Sequence, residues 1–177
     1  MNSEQFRELL IKLNACNPAI DWAEGKSWEE VYNTCHRGDW LLWLYKKTNK
    51  DNLRKLTLAK GLCANTVRHL MKDERSVAAV DAAIKYGNGE IGEKNLRAAY
   101  ADAYAAAADA ATDAAYAAAA AAYAAAAAYA HADAAAYAAA YAADAASTYA
   151  DDDDREANQK LTADIVRQVI QINEWSI

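Results

Sequence analysis

An alanine-rich tract at residues 98–150 constrains the fold of this chain more than any other feature. Of its 53 residues, 36 are alanine, and the rest are eight Tyr, five Asp, two Thr, one Ser and one His. Alanine has the highest intrinsic helix propensity because its side chain loses no rotamer entropy in a helix. Since the tract contains neither glycine nor proline, it predicts helix from end to end.

The angular positions of the polar residues indicate how many helices the tract forms. At about 100° per residue, acidic and aromatic residues fall into two stripes that do not align with each other. The first stripe is Asp102, Asp109, Asp113, Tyr116 and Tyr123, and the second is Asp133, Tyr137, Tyr141 and Asp144. We therefore expect two or three closely packed antiparallel helices, with breaks near residues 112–113 and 131–133. One long helix of roughly 80 Å, at about 1.5 Å per residue, is the alternative.

The rest of the chain also predicts helices, since residues that cap helices precede apolar residues at helical spacing. Starts are predicted at Ser3, Asn17, Ser27, Asp39, Asn49 or Asp51, Asp73 and Asp153. With Pro18 the only proline, these signals predict an all-α fold, a sequential antiparallel array of about 8–10 helices. We expect one continuous domain with an N-terminal helical core (1–97), the alanine-rich segment (98–150) and a closing helix (151–177).

Residues 40–45 (WLLWLY) predict the centre of the N-terminal core. Six consecutive large apolar residues cannot share one helix face, so we expect this segment to be buried nearly all round. The predicted structural core residues are Trp22, Trp28, Trp40, Leu41, Trp43 and Leu44. Gly61 is small enough to let a neighbouring helix approach closely.

The charge of the chain is divided unevenly. Residues 1–97 carry 16 Lys and Arg against 13 Asp and Glu, a net of +3, whereas residues 98–177 carry 3 against 12, a net of −9. The acidic half argues against nucleic acid binding and is compatible with a basic protein partner. Since tyrosine is enriched in protein interfaces, the nine residues of the two stripes are candidate partner-binding residues. Packing between helices, with acids that only confer solubility, is the alternative interpretation.

No catalytic, metal or cofactor site is predicted. The sequence lacks a glycine-rich phosphate loop, a His-Glu-x-x-His motif and a Cys-x-x-Cys pair. The Cys and His residues at positions 35, 36, 63 and 69 match no common zinc spacing, and residues 151–154 lack the ligand spacing of a calcium loop. A polar start and an odd number of cysteines predict a cytoplasmic protein with reduced thiols. Recurring Asp residues argue against a membrane span in the tract.

Three further segments carry a family resemblance: residues 34–44 (TCHRGDWLLWL), residues 53–59 (LRKLTLA), and residues 73–80 (DERSVAAV) with the YGNG at 86–89. Together with the tract and the closing helix, they resemble bacterial and phage immunity proteins of polymorphic toxin systems. They are also similar to bacterial proteins that have no association with toxins. The first resemblance implies an all-helical protein that neutralises a toxin, and it implies no catalytic residues.

The sequence thus leads us to expect a non-catalytic, protein-binding inhibitor that acts as a monomer or homodimer. An immunity protein that binds a basic toxin through the acidic Tyr/Asp face is the first expectation. A phage-encoded inhibitor of a host defence complex is the alternative. An ice-type surface binder is a more remote one, since such helices present regularly spaced Thr and the tract has only Thr112 and Thr148.

Overall fold

The computed structural model describes residues 1–49, 53–109, 119, 123, 137, 140–145 and 152–177, with the side chains of 106–109 and 152 excepted. The helices are α1 (Ser3–Lys12), α2 (Asn17–Trp22), α3 (Trp28–Thr34), α4 (Gly38–Thr48), α5 (Leu53–Asn65), α6 (Glu74–Gly87), α7 (Glu93–Asp109) and α8 (Asp152–Val169). Residues 140–145 are also helical, and short 3-10 helices cover Arg68–Leu70 and Ile172–Glu174. The described residues contain no strand, which confirms the all-α prediction.

Most helices begin where the sequence predicts. At α3, the Ser27 hydroxyl accepts a hydrogen bond from the Glu30 amide at 3.3 Å, and the Glu30 carboxylate accepts one from the Ser27 amide at 2.7 Å. This reciprocal pair is a capping box, and it lies at the helix start that the sequence predicts. At α1 the cap is Asn2 rather than Ser3. The prediction that Asp39 caps α4 is wrong, because that helix begins at Gly38 and no side chain caps it.

The helices pack around two hydrophobic clusters. The first cluster joins α1 to α5 with α8 and the buried Trp175. The second joins α5, α6 and α7 with residues 140–145. Helix α5 contributes to both, with Leu56 and Cys63 in the first and Ala64 in the second. It is therefore the element that connects the N-terminal core to the alanine-rich segment.

Two glycines permit the close antiparallel packing of α5 against α6. A Cβ placed on Gly61 would lie 3.1 Å from the Cβ of Ala83, and one placed on Gly87 would lie 2.4 Å from the Cβ of Leu58. The second distance is shorter than non-bonded carbon atoms tolerate. The prediction that Gly61 admits a neighbouring helix is confirmed.

Contacts between tyrosines decide between the two interpretations of the alanine-rich tract. The ring centroids of Tyr123 and Tyr137 lie 5.0 Å apart, and those of Tyr123 and Tyr141 lie 5.5 Å apart. In one straight helix, Tyr123 and Tyr137 would be separated by about 21 Å along the axis. The single-helix alternative is therefore wrong. The predicted breaks near 112–113 and 131–133 lie outside the described residues.

The segment WLLWLY is less completely buried than predicted. Leu41, Leu44 and Trp28 are buried, whereas Trp22, Trp40 and Trp43 are half-buried and pack at the edge of the first cluster. The physical reason is that the side of α4 bearing Leu41, Leu42 and Tyr45 is fully buried. Trp40 and Trp43 lie on the other side, where they line an open pocket.

The C-terminal segment completes the first cluster. The Trp175 ring lies 4.9 Å from that of Trp28 and 5.0 Å from that of Tyr45, measured between centroids. The Tyr32 hydroxyl donates a hydrogen bond to the Ile170 carbonyl at 3.1 Å. These contacts hold α8 and the residues after it against α3 and α4. In the described part of the chain, no helix has the length and apolar character that crossing a membrane requires.

Candidate functional site

Helix α7 carries two of the predicted binding residues, Asp102 and Asp109, together with Tyr100 and Tyr104, which were not among them. Leu96 and Ala103 of this helix are buried in the second cluster, and Tyr100 is half-buried against it. Asp102 is exposed, and Tyr104 is 61% exposed with its ring centroid 6.0 Å from that of Tyr100. An acid and a large aromatic side chain therefore face solvent within one helical turn.

A second part of the predicted binding face is a cluster of three tyrosines, namely Tyr123, Tyr137 and Tyr141. Each pair of rings lies within 5.7 Å between centroids. Tyr123 and Tyr141 are half-buried and pack against the second hydrophobic cluster, whereas Tyr137 is 41% exposed. The first two tyrosines thus have a packing role, and Tyr137 presents the cluster to solvent.

The acids of the C-terminal half greatly outnumber its bases, and the three bases are already engaged. Arg155 pairs with Asp144 at 2.9 Å. Lys160 pairs with Glu156 at 2.8 Å, and Arg167 pairs with Asp164 at 2.6 Å. Glu174 is paired with Lys55 of the N-terminal half, so the excess of acids is partly compensated from outside residues 98–177. Asp144, a predicted binding residue, is half-buried and holds an ion pair.

The remaining predicted residues are only partly described. Asp109 is the last residue of α7, and its side chain lies outside the described part. Asp113, Tyr116 and Asp133 lie outside the described residues altogether. Of the predicted face, the structure thus brings together Tyr123, Tyr137 and Tyr141.

A pocket that was not predicted from the sequence lies in the N-terminal half. It has a volume of about 410 Å³ and lies between α1, α2, α3 and α4. Its lining includes Trp22, Trp40, Trp43 and the ion pair formed by Arg37 and Asp39. A signal existed in the sequence, since each of these tryptophans has a basic residue three or four positions away, a spacing that brings helical side chains together.

The buried titratable groups include Lys60, Cys63 and Cys35, the last of which lines the pocket. Burial, together with the nearby charge of Lys46, lowers the pKa of Lys60 to about 7. Lys60 is 2% exposed and does not line the pocket. Burial raises the pKa of Cys35 to about 11 and raises that of Cys63 as well. Since the thiolate is the reactive form of cysteine, this environment suits inert core thiols better than a nucleophile.

No group of three or more His, Cys, Asp or Glu side chains among the described residues is arranged to hold a metal ion. Comparisons of the chain with protein-family models, with curated proteins and with solved structures found no match.

Proposed function

We propose that this chain is a non-catalytic protein-binding inhibitor of the cytoplasm, and that it neutralises a basic toxin through the acidic, tyrosine-bearing surface of its C-terminal half. The observation that carries the proposal is the exposure of two tyrosines, Tyr104 and Tyr137, in a half of the chain with a net charge of −9. The resemblance of the sequence to immunity proteins names the class of partner.

The exposed tyrosines supply the apolar contact area. Tyrosine contributes a large, rigid ring at low entropic cost, and it is among the residues that dominate binding energy in interfaces. Tyr104 adjoins the half-buried Tyr100, and Tyr137 rests on Tyr123 and Tyr141. Because each exposed ring is supported by a partly buried one, little side-chain freedom remains to be lost when a partner binds.

The charge supplies selectivity and speed. An excess of acids attracts a basic partner and raises the association rate, an effect that salt weakens. The exposed carboxylate of Asp102 lies two residues from Tyr104. Because residues two apart on a helix point in different directions, Asp102 attracts a basic partner through the overall field and does not share one contact with Tyr104.

The test uses a basic toxin identified among the products of genes adjacent to that of this chain in its native genome. Two variants separate the contributions: Asp102→Asn removes only charge, and Tyr104→Ala/Tyr137→Ala removes only the exposed rings. We expect the first to slow association at low salt and the second to speed dissociation, and both to weaken protection of cells that express the toxin.

A matched control and a clear contrary outcome complete the test. Asp21→Asn removes an exposed acid from α2, in the half of the chain with positive net charge, and it should leave binding unchanged. If the toxin binds wild type and both variants equally, the acids and tyrosines of this surface do not form the interface. If the protein does not protect cells at all, the immunity function is refuted.

A further inference from the structure

The pocket of the N-terminal half has the form of a binding site for a small molecule. Phe6, Leu10, Leu41 and Leu44, all buried, form part of its lining. The half-buried Trp22, Trp40 and Trp43 complete its apolar surface. A volume of about 410 Å³ falls within the range of about 300–1,000 Å³ that is typical of ligand pockets.

Each of the three tryptophans already has a basic side chain over its ring. Lys26 Nζ lies 4.4 Å from the Trp22 ring centroid, Arg37 Cζ lies 4.7 Å from that of Trp40, and Lys47 Nζ lies 5.4 Å from that of Trp43. These are cation–π distances. Aromatic rings without such partners would suit a quaternary ammonium ligand, but here each ring already has a cation beside it.

The polar wall of the pocket is the ion pair of Arg37 and Asp39. Arg37 Nε donates to Asp39 Oδ1 at 2.8 Å, and a second guanidinium nitrogen donates to Asp39 Oδ2 at 2.6 Å. A guanidinium has five N–H donors, so this pair uses two of them and leaves three for another acceptor. In the described lining, Arg37 and Asp39 are the charged residues, and their charges cancel. Lys26 and Lys47 lie over the rings of Trp22 and Trp43 but outside the lining, and they add positive charge nearby.

We propose that this pocket binds an amphipathic carboxylate, with its apolar body among the tryptophans and its carboxylate accepting hydrogen bonds from the free guanidinium donors of Arg37. Burial of the apolar body provides the main driving force, because it removes apolar surface from water. The basic groups select the anionic head, because a charged acceptor makes a stronger hydrogen bond to guanidinium than a neutral one does. This site is separate from the acidic surface of the C-terminal half.

The test compares three probes with the same apolar chain and different heads: octanoate, 1-octanol and octyltrimethylammonium. Binding is followed by calorimetry and by the rate at which N-ethylmaleimide modifies Cys16. This thiol is exposed and lines the pocket, whereas Cys35 and Cys63 are buried. We expect octanoate to bind most tightly and to slow modification of Cys16, and octyltrimethylammonium to bind most weakly.

Variants assign the selectivity to the named groups. Arg37→Gln/Asp39→Asn replaces the ion pair with amides of similar size, so no charge is left buried without a partner. It should weaken the binding of octanoate about tenfold, which corresponds to about 1.4 kcal/mol, and leave the binding of 1-octanol unchanged. Lys26→Gln/Lys47→Gln should also weaken the binding of octanoate. If the first variant fails to fold, this second variant tests whether the basic groups provide the selectivity.

The control is Arg68→Gln, which removes an arginine of a different ion pair, with Asp81, that lies outside the pocket lining. Octanoate should bind this variant as it binds wild type. The proposal is overturned if none of the probes binds, if the ammonium probe binds as tightly as octanoate, or if the folded pocket variants bind octanoate as wild type does.

Discussion

Replacement of the buried Lys60 by methionine should stabilise the protein at neutral pH. Lys60 lies in α5, is 2% exposed, and has neither an ion pair nor a hydrogen bond within the described part of the chain. Removing a lysine ammonium from water without a counter-ion is costly, and the amine loses its proton instead. Methionine has a similar length and no charge, and its helix propensity is close to that of lysine. Lys60→Met therefore removes the penalty without leaving a cavity.

The magnitude follows from the difference in pKa between the folded and unfolded chains. Burial lowers the pKa of Lys60 from its usual 10.5 to about 7. Each pKa unit corresponds to about 1.4 kcal/mol, so the penalty at neutral pH is at most about 5 kcal/mol. Water that reaches the amine, or local relaxation around it, makes the gain smaller. We expect Lys60→Met to raise the free energy of unfolding at neutral pH by about 2–5 kcal/mol.

The sign of the pH dependence is fixed by the same difference. Between pH 7 and pH 10.5 the unfolded chain holds a proton on Lys60 and the folded chain does not. The stability of wild type therefore rises with pH over this window, by about 1.4 kcal/mol per unit. Below the window both states hold the proton, and the penalty is constant. The advantage of Lys60→Met should be largest at and below neutral pH and should vanish above the window.

Urea unfolding at several pH values measures the stability gain of Lys60→Met directly. The unfolding is monitored by the far-ultraviolet circular dichroism of the helices. The difference between variant and wild type removes the contributions of other titrating groups, including the buried thiols. Lys94→Met, at an exposed position of α7, is the control and should change stability by less than about 0.5 kcal/mol. A Lys60→Met variant that is less stable than wild type, or whose gain is the same at neutral and alkaline pH, would refute the reasoning.

Two further predictions concern packing and are checked by thermal unfolding. Gly87→Ala should lower the free energy of unfolding by about 1–3 kcal/mol, because the added Cβ would lie 2.4 Å from a carbon of α5. Gly92→Ala is the control: nothing lies within 4 Å of that position, and stability should change by less than about 1 kcal/mol. Equal effects of the two variants would contradict the close approach of α5 and α6. Trp28→Ala should lower the free energy of unfolding by about 3–5 kcal/mol, because it truncates a core side chain. Trp43→Ala should lower it clearly less, because that ring is half-buried. A larger loss for Trp43→Ala than for Trp28→Ala would place Trp43 in the core, as its sequence context predicts.

Local signals in the sequence were sufficient to locate most helices. The capping box at Ser27 and the cap at Asp73 depend on residues within one turn, so the sequence carries all the information they need. The fold class followed from the alanine-rich tract and the scarcity of proline. The exposure of Asp102 followed from its charge.

The packing of the aromatic residues could not be predicted from the sequence, for a physical reason. A run such as WLLWLY is apolar at every position, so it contains no periodic signal to show which side faces the core. An alanine helix offers nearly identical faces in all directions, and only the contacts of Tyr123 with Tyr137 and Tyr141 reveal the arrangement. The candidate pocket depends in the same way on the relative positions of four helices, which no local pattern specifies.

The contact of Trp175 with Trp28 has a consequence for biosynthesis. The ring centroids are 4.9 Å apart, but the two residues are separated by nearly the whole sequence. The hydrogen bond from the Tyr32 hydroxyl to the Ile170 carbonyl spans a similar separation. A ribosome releases the chain from the N-terminus, so α3 and α4 emerge long before the residues that cover them. Contacts of such large sequence separation also slow folding, because a long loop must close before they form. The nascent N-terminal half must therefore keep its aromatic surface exposed throughout translation, and a product truncated before α8 is expected to be a substrate for chaperones and proteases.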